Sequence, residues 1–214
     1  MKQCQISLRF VLLTMLFFGI AAAFAANYRR MRIAEAELKQ LRRETGYLEP
    51  SGKDQLAAVR VTLDEPLVWQ ARIRVPEKPR YRLAYSALWP ESEAHPDWFA
   101  AQPLPEGEST VTIRIIKDPR DDRWRISTIV RHSDGVRRVG TVLPDALSNV
   151  FRGTHDVISE GVGKQTIVRP AGEKVRLFDE RYFSGTALLL YGDRAPESDM
   201  IGVFAELQPD VGTL

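Results

Sequence analysis

Three histidines each stand beside an aspartate, and acid–base or metal chemistry would begin there: His95 with Asp97, His132 with Asp134, and His155 with Asp156. A zinc centre needs three or four ligands converging at helical H-x-x-x-H or strand H-x-H spacing, and neither spacing occurs. A hydrolase would need one of these histidines to activate Ser133, Ser159 or Ser184, yet there is no Gly-x-Ser-x-Gly elbow. Polar turn residues account for the pairs more simply, because turns favour these types. Gly161-Val-Gly-Lys164-Gln-Thr166 has the outline of a phosphate loop. However, Ile158 stands where its first glycine should be, and Gln165 where Ser or Thr should follow the lysine. It reads as a flexible turn. Asp118, Asp121 and Asp122 offer oxygen ligands for calcium, but without EF-hand spacing and with Arg120 and Arg123 intruding. No cofactor and no metal is expected.

Two groups of residues suit binding instead. Arg72, Arg74, Arg80 and Arg82 flank the turn Pro76-Glu77-Lys78-Pro79. If the flanking segments pair as a hairpin, all four share its outer face, where they would meet an anionic lipid, polymer or protein. Trp89 and Trp98 accompany Glu91, Glu93 and Asp97, a mixture of aromatic platform and acid that suits sugars. Tryptophans are highly buried on average, so gap-filling in a core is the plainer account of that pair.

The element that would place such residues is a charge-free run, Phe10 to Ala26, bounded by Arg9 and by Asn27, Tyr28, Arg29 and Arg30. At about 1.5 Å per residue it reaches roughly 25 Å, near the lower limit for crossing a bilayer core. A single-pass anchor is expected. A cleaved signal peptide is the alternative, since Lys2 and Arg9 precede the run and Ala23-Phe24-Ala25 has the small-x-small form. Counting Arg29, Arg30, Arg32, Lys39, Arg42 and Arg43 by the positive-inside rule puts residues 27–214 in the cytoplasm, whereas the signal-like start argues for export. The side stays open. The only cysteine, Cys4, precedes the run, so neither a disulfide nor a cysteine-ligated metal can form in the body of the chain.

The expected order is an N-terminal tail 1–9, a transmembrane helix 10–26, a helical stalk 27–48, a linker 49–55 and a β domain 56–214. Helix formers fill the stalk, Glu35 and Lys39 are spaced as an i,i+4 pair, and Thr45-Gly46 supplies the stop. Ile33, Ala34, Leu38 and Leu41 form a modest apolar stripe, read either as a light packing face or as a coiled-coil seam.

Beyond Leu56 the period changes to two: Val59, Val61 and Leu63; Trp69, Ala71, Ile73 and Val75; Tyr81, Leu83 and Tyr85. Residues 86–109 lack periodicity and read as one long loop. Val111–Lys117 and Trp124–Arg131 form a hairpin about Asp118–Asp122, extended by Val136–Val142 into a meander. One short helix is expected within Pro144–Phe151, and further strands at Thr166–Val168, Val175–Phe178, Ala187–Tyr191 and Ile201–Leu207. Short strands with turns between them predict a mainly β, antiparallel sandwich-like domain, with the interval from Val142 to Thr166 crossing between sheets.

Several of these pieces occur together in one known group. Ser7-Leu8-Arg9 enters a single apolar helix, an arginine-rich helix follows, and a Trp-led strand precedes Arg80-Tyr-Arg-Leu83. The Val111–Trp124 hairpin and the segment Gly185–Leu190 complete the set. In these the chain resembles a group of small bacterial single-pass membrane-anchored β-rich proteins of unassigned function. The resemblance implies the architecture and no active site.

Function is therefore expected to be non-catalytic: a membrane-anchored binding or structural module at the membrane or envelope surface. Its candidate partners are an anionic lipid, an envelope polymer or another membrane protein. Thirty Lys plus Arg against 28 Asp plus Glu leave a net charge of +2, too near balance for a nucleic-acid binder. The alternatives are a carbohydrate-active or hydrolytic enzyme with a loop-borne acid or histidine, and an accessory subunit joined to a membrane complex through Gly19 and Ala23. Composition leaves the oligomeric state undetermined.

Overall fold

The computed structural model describes residues 8–153, 156–183 and 199–212. Cys4, His155, Ser184, the strand expected at Ala187–Tyr191 and the Gly185–Leu190 segment lie outside the described residues. The chain divides into two units, residues 1–42 and 43–214.

The first unit is helical. One helix, α1 (Leu8–Glu44), takes in both the apolar run and the stalk without a break. It is long and apolar enough to cross a membrane, and none of its apolar window is buried. It ends at Glu44 rather than at residue 48, because Gly46 has φ +58°, outside the helical region. A Cβ there would also stand 2.6 Å from Cγ2 of Val61, so only glycine fits the stop.

The second unit holds two antiparallel sheets. In chain order its strands are β1 (Gln55–Val61), β2 (Val68–Val75), β3 (Tyr81–Trp89), β4 (Ala100–Pro103), β5 (Gly107–Lys117), β6 (Trp124–His132) and β7 (Gly135–Val142). After α2 (Asp145–Ser148) and a 3-10 turn at Val150–Arg152 come β8 (Asp156–Gly161), β9 (Ile167–Pro170), β10 (Val175–Phe183) and β11 (Met200–Pro209). Sheet A runs β7-β6-β5-β2-β1-β9, and sheet B runs β4-β3-β11-β10-β8. The fold is mainly β and sandwich-like, as the period-two segments predict.

Alternation on each strand sends one set of side chains inward. Trp69, Ile73, Val111, Ile113 and Ile126 come from sheet A, and Tyr81, Leu83, Tyr85, Phe178 and Leu207 from sheet B. Among the described residues every buried hydrophobic side chain lies between Leu48 and Leu207, so the second unit carries its own core. Polar ties join the sheets at its rim. The Tyr85 hydroxyl lies 3.0 Å from Oγ1 of Thr141, and Arg60 of β1 reaches the Glu180 carboxylate of β10 at 2.6 Å. Glu180 also accepts from Ser159 at 2.8 Å.

Three expectations need correction. Residues 68–75 and 81–89 do not form a hairpin: β2 pairs with β1 and β5, whereas β3 pairs with β11 and β4. Pro76–Pro79 carries the chain from one sheet to the other. The long loop expected over 86–109 shrinks to residues 90–99, since β3 continues to Trp89 and β4 lies within the interval. The linker expected over 49–55 is tied down. Glu49 N donates to Thr166 Oγ1 at 3.0 Å, and Leu48 beside it is buried against Ala57 and Val59. The interval between Val142 and Thr166 does pass between the sheets, but it leaves sheet A for β8 in sheet B and returns to sheet A at β9.

Candidate anion-binding face

On β2, Trp69, Ala71, Ile73 and Val75 enter the core, which turns Gln70, Arg72 and Arg74 outward. The same alternation on β5, β6 and β7 turns out Thr110, Thr112 and Arg114, then Arg125, Ser127, Ile129 and Arg131, then Val136 and Arg138. Register brings them into rows across the sheet: Arg72, Thr110, Arg131 and Val136 in one, and Gln70, Thr112, Ile129 and Arg138 in the next. The outer face of sheet A therefore gathers six arginines from four strands.

Two of the six are neutralised. Arg74 is paired with Glu108 and also donates to the Glu49 carbonyl and Ser51, and Arg125 reaches Asp118 at 3.1 Å. Among the described residues no carboxylate lies within ion-pair distance of Arg72, Arg114, Arg131 or Arg138. Arg131 lies over Thr112, its Nη1 3.5 Å from the hydroxyl, so a long stem covers the strand while the guanidinium stays in water. Thr112, Ser127 and Ile129 are buried even though they point out of the sandwich.

Arg72 and Arg131 sit two strands apart, roughly 10 Å from backbone to backbone, with Thr110 between them. They line a depression of about 310 Å³ together with Thr110, Ser133, Glu108 and His132. Two guanidinium forks facing one polar hollow suit a phosphate or carboxylate group, which each can hold through paired N–H donors.

Among the described histidines, His132 is the one placed near a serine and an acid. Its Nδ1 is 3.1 Å from Ser109 Oγ and 2.8 Å from the Glu108 carbonyl, and its Nε2 is 3.5 Å from Asp134. A ring nitrogen that donates to a carbonyl has no lone pair left to take a serine proton. Ser109 is moreover buried. Ser133, one of the candidate nucleophiles, donates to Asp134, at 3.0 Å. His95 is exposed and lies 3.2 Å from the Pro96 carbonyl. Neither histidine forms a nucleophile–base pair.

The remaining sequence candidates disperse. Arg80 and Arg82 belong to β3 and its approach, in the other sheet, so the four arginines flanking Pro76–Pro79 do not share a face. Arg82 is half-buried, donating to Gln208 at 3.4 Å and to the Gly212 carbonyl. Trp89 is buried beside Phe204 and donates from Nε1 to the Glu93 carbonyl at 2.8 Å. Trp98 packs half-buried on the same cluster. The Arg176 guanidinium stacks 5.3 Å from the Trp89 ring and 5.7 Å from the Trp98 ring, so these tryptophans hold sheet B together. Gly161–Lys164 is a turn between the sheets, fixed by Val162 N on the Leu177 carbonyl at 3.2 Å. Lys164, Arg60, Ser159 and Tyr182 line a cleft of about 530 Å³ at that end, whose Arg60 and Ser159 both serve Glu180. The Asp118 and Asp121 carboxylates are occupied by Arg125, and no cluster of metal ligands exists among the described residues.

Sequence reasoning named Arg72 and Arg74 but missed Arg114, Arg131 and Arg138. β7 holds no buried residue, so nothing marked Arg138; for Arg114 and Arg131, which alternate with core residues of their strands, the signal was present. The order of the strands in the sheet was not.

No protein-family model matches this chain, and comparisons with curated proteins and with solved structures found no match either.

Proposed function

We infer that this chain is a non-catalytic binding module, anchored in the cell membrane by a single pass of α1, which engages an anionic surface through the outer face of sheet A. The carrying observation is the set of four arginines, Arg72, Arg114, Arg131 and Arg138, left on one face without carboxylate partners among the described residues. A protein with a net charge of +2 has little overall attraction for anions, so concentration of charge on one face is what would draw them. The recognised chemistry is a phosphate or carboxylate group held between Arg72 and Arg131. The resemblance to small bacterial membrane-anchored β-rich proteins agrees with the anchor. A loop-borne enzyme site is not favoured, because His132 serves a backbone carbonyl.

Such groups come from lipid headgroups or from a charged envelope polymer, and one experiment separates the sources. Residues 43–214 are sedimented with vesicles of anionic or of neutral phospholipid, with and without a soluble polyphosphate as competitor. Binding to anionic vesicles alone, weakened by salt, supports a lipid surface. Capture by the polymer with no vesicle binding supports an envelope polymer. Equal sedimentation with neutral vesicles, or with neither partner, removes the reading.

A further inference from the structure

Beyond the apolar run, α1 keeps a second apolar row at alternating spacings of three and four: Met31, Ala34, Leu38 and Leu41. That is the a/d spacing of a heptad, and it differs from the stripe through Ile33, which falls at the outer c position. Met31, Leu38 and Leu41 are 51%, 48% and 56% exposed on a segment that follows the apolar run. In water such a row gains by being covered, whereas within lipid it would gain nothing from apolar contact.

The positions beside the row carry charge in a matched pattern. With Met31 at a, Arg30 and Glu37 fall at g, and Glu35 and Arg42 at e. In a parallel, in-register pair of helices each g residue faces the e residue five positions on in the partner. Arg30 then faces Glu35 of a second copy, and Glu37 faces Arg42. Both meetings join opposite charges, and symmetry doubles them.

We propose that α1 pairs with α1 of a second copy of this chain as a parallel coiled coil over Met31–Leu41. The parallel sense rests on the anchored reading above: two helices inserted the same way into one membrane leave it side by side. The seam is short and its Ala34 layer is small, so the pair depends on the high local concentration that a shared membrane supplies.

Single cysteines placed in full-length Cys4→Ser chains and oxidised in native membranes read the seam directly. Ala34→Cys and Leu38→Cys should give disulfide-linked dimers, while Ile33→Cys, Ala36→Cys and Gln40→Cys give few. Uniform cross-linking, or none, in chains that stay with the membrane overturns the proposal and leaves the anchor standing. Chains that wash off the membrane overturn the anchor, and the same position scan on the washed-off protein then decides the seam. Charge reversal tests the sense of pairing. Arg30→Glu should lower the Ala34→Cys dimer about ten-fold, since it turns two cross-helix attractions into repulsions. Adding Glu35→Arg should restore it. An antiparallel pair would instead place residue 30 against Glu37 and residue 35 against Arg42, and the double reversal would make it worse; that result overturns the parallel arrangement.

Discussion

Replacing Asp179 by alanine probes the ion network on the outer face of sheet B. Asp179 holds Arg181 through two charge-assisted hydrogen bonds, 2.7 Å to Nε and 2.9 Å to Nη2, with both side chains almost fully buried (4% exposed for Arg181, 7% for Asp179). Its second oxygen lies 3.4 Å from Arg176, which also reaches Glu206 at 3.1 Å. Breaking a buried pair leaves the other charge uncompensated and costs about 3–5 kcal/mol, whereas an exposed pair is worth about 0–1 kcal/mol. Arg181 keeps Glu160 at 3.3 Å and the Trp89 ring at 5.1 Å, so Asp179→Ala belongs near the lower end, about 3 kcal/mol. Lys117→Met is the contrast: its pair with Asp122 is solvent-exposed on both sides, and its removal should stay within about 0.5 kcal/mol. Both are measured by urea unfolding of residues 43–214, as a change in midpoint at constant slope. The pair Asp179→Leu with Arg181→Met should recover part of the loss, giving a measurable coupling. A loss below about 1 kcal/mol for Asp179→Ala would show that water reaches the network and that the burial argument fails.

Two further outcomes follow from close packing and from burial. Gly202→Ala puts a Cβ 2.1 Å from the Glu180 carbonyl oxygen and 2.8 Å from the Phe204 ring, where backbone cannot yield, and should cost about 3 kcal/mol or more in a thermal or urea melt. A cost under about 1 kcal/mol would mean that β10 and β11 are less tightly paired than described. Burial, with the Glu180 charge second, pushes the Tyr182 hydroxyl up to about 12, and burial also raises Tyr81 and Tyr85 above the ordinary 10.0. A raised folded-state value means that the folded form holds its proton longer. Stability from Tyr182 is thus full below about pH 10 and lost as pH climbs to about 12, by no more than about 1–2 kcal/mol after allowing for solvent screening. Absorbance titration of phenolate checks this, and titration of every tyrosine near pH 10 in the folded protein would contradict it.

Alternation made much of this architecture legible. Val111, Ile113 and Ile115 against Ile126, Thr128 and Val130 place β5 and β6 by period alone, and Asp118 supplies the turn through its bond to Arg120 N at 3.0 Å. Partner choice was not legible. β3 lies close to β2 in sequence, yet its longest pairing is with β11, because both faces of those segments suit either neighbour and only the whole core decides. One strand, and the second half of another that was expected only over Val175–Phe178, were hidden by their chemistry. β8 (Asp156–Gly161) is an exposed edge with no apolar face, and in β10 the run Asp179-Glu-Arg181 looks like a loop until its charges are seen to satisfy one another. The arginine face failed to emerge for the same reason as the hairpin error: its residues come from β2, β5, β6 and β7, and only the sheet order makes them neighbours.

The central claim is that the place of the charge, not its amount, draws the anionic partner. Two double variants of residues 43–214 change net charge equally: Arg72→Glu with Arg131→Glu on the face, and Arg80→Glu with Arg169→Glu at exposed positions elsewhere. Each arginine near an anionic surface contributes about 1 kcal/mol, so the first pair of reversals should weaken binding to whichever anionic partner sediments with the wild type by about 100-fold or more. The second should stay within about three-fold of wild type, since its sites lie away from the face. Equal loss in both variants, or none in the first, would contradict the account.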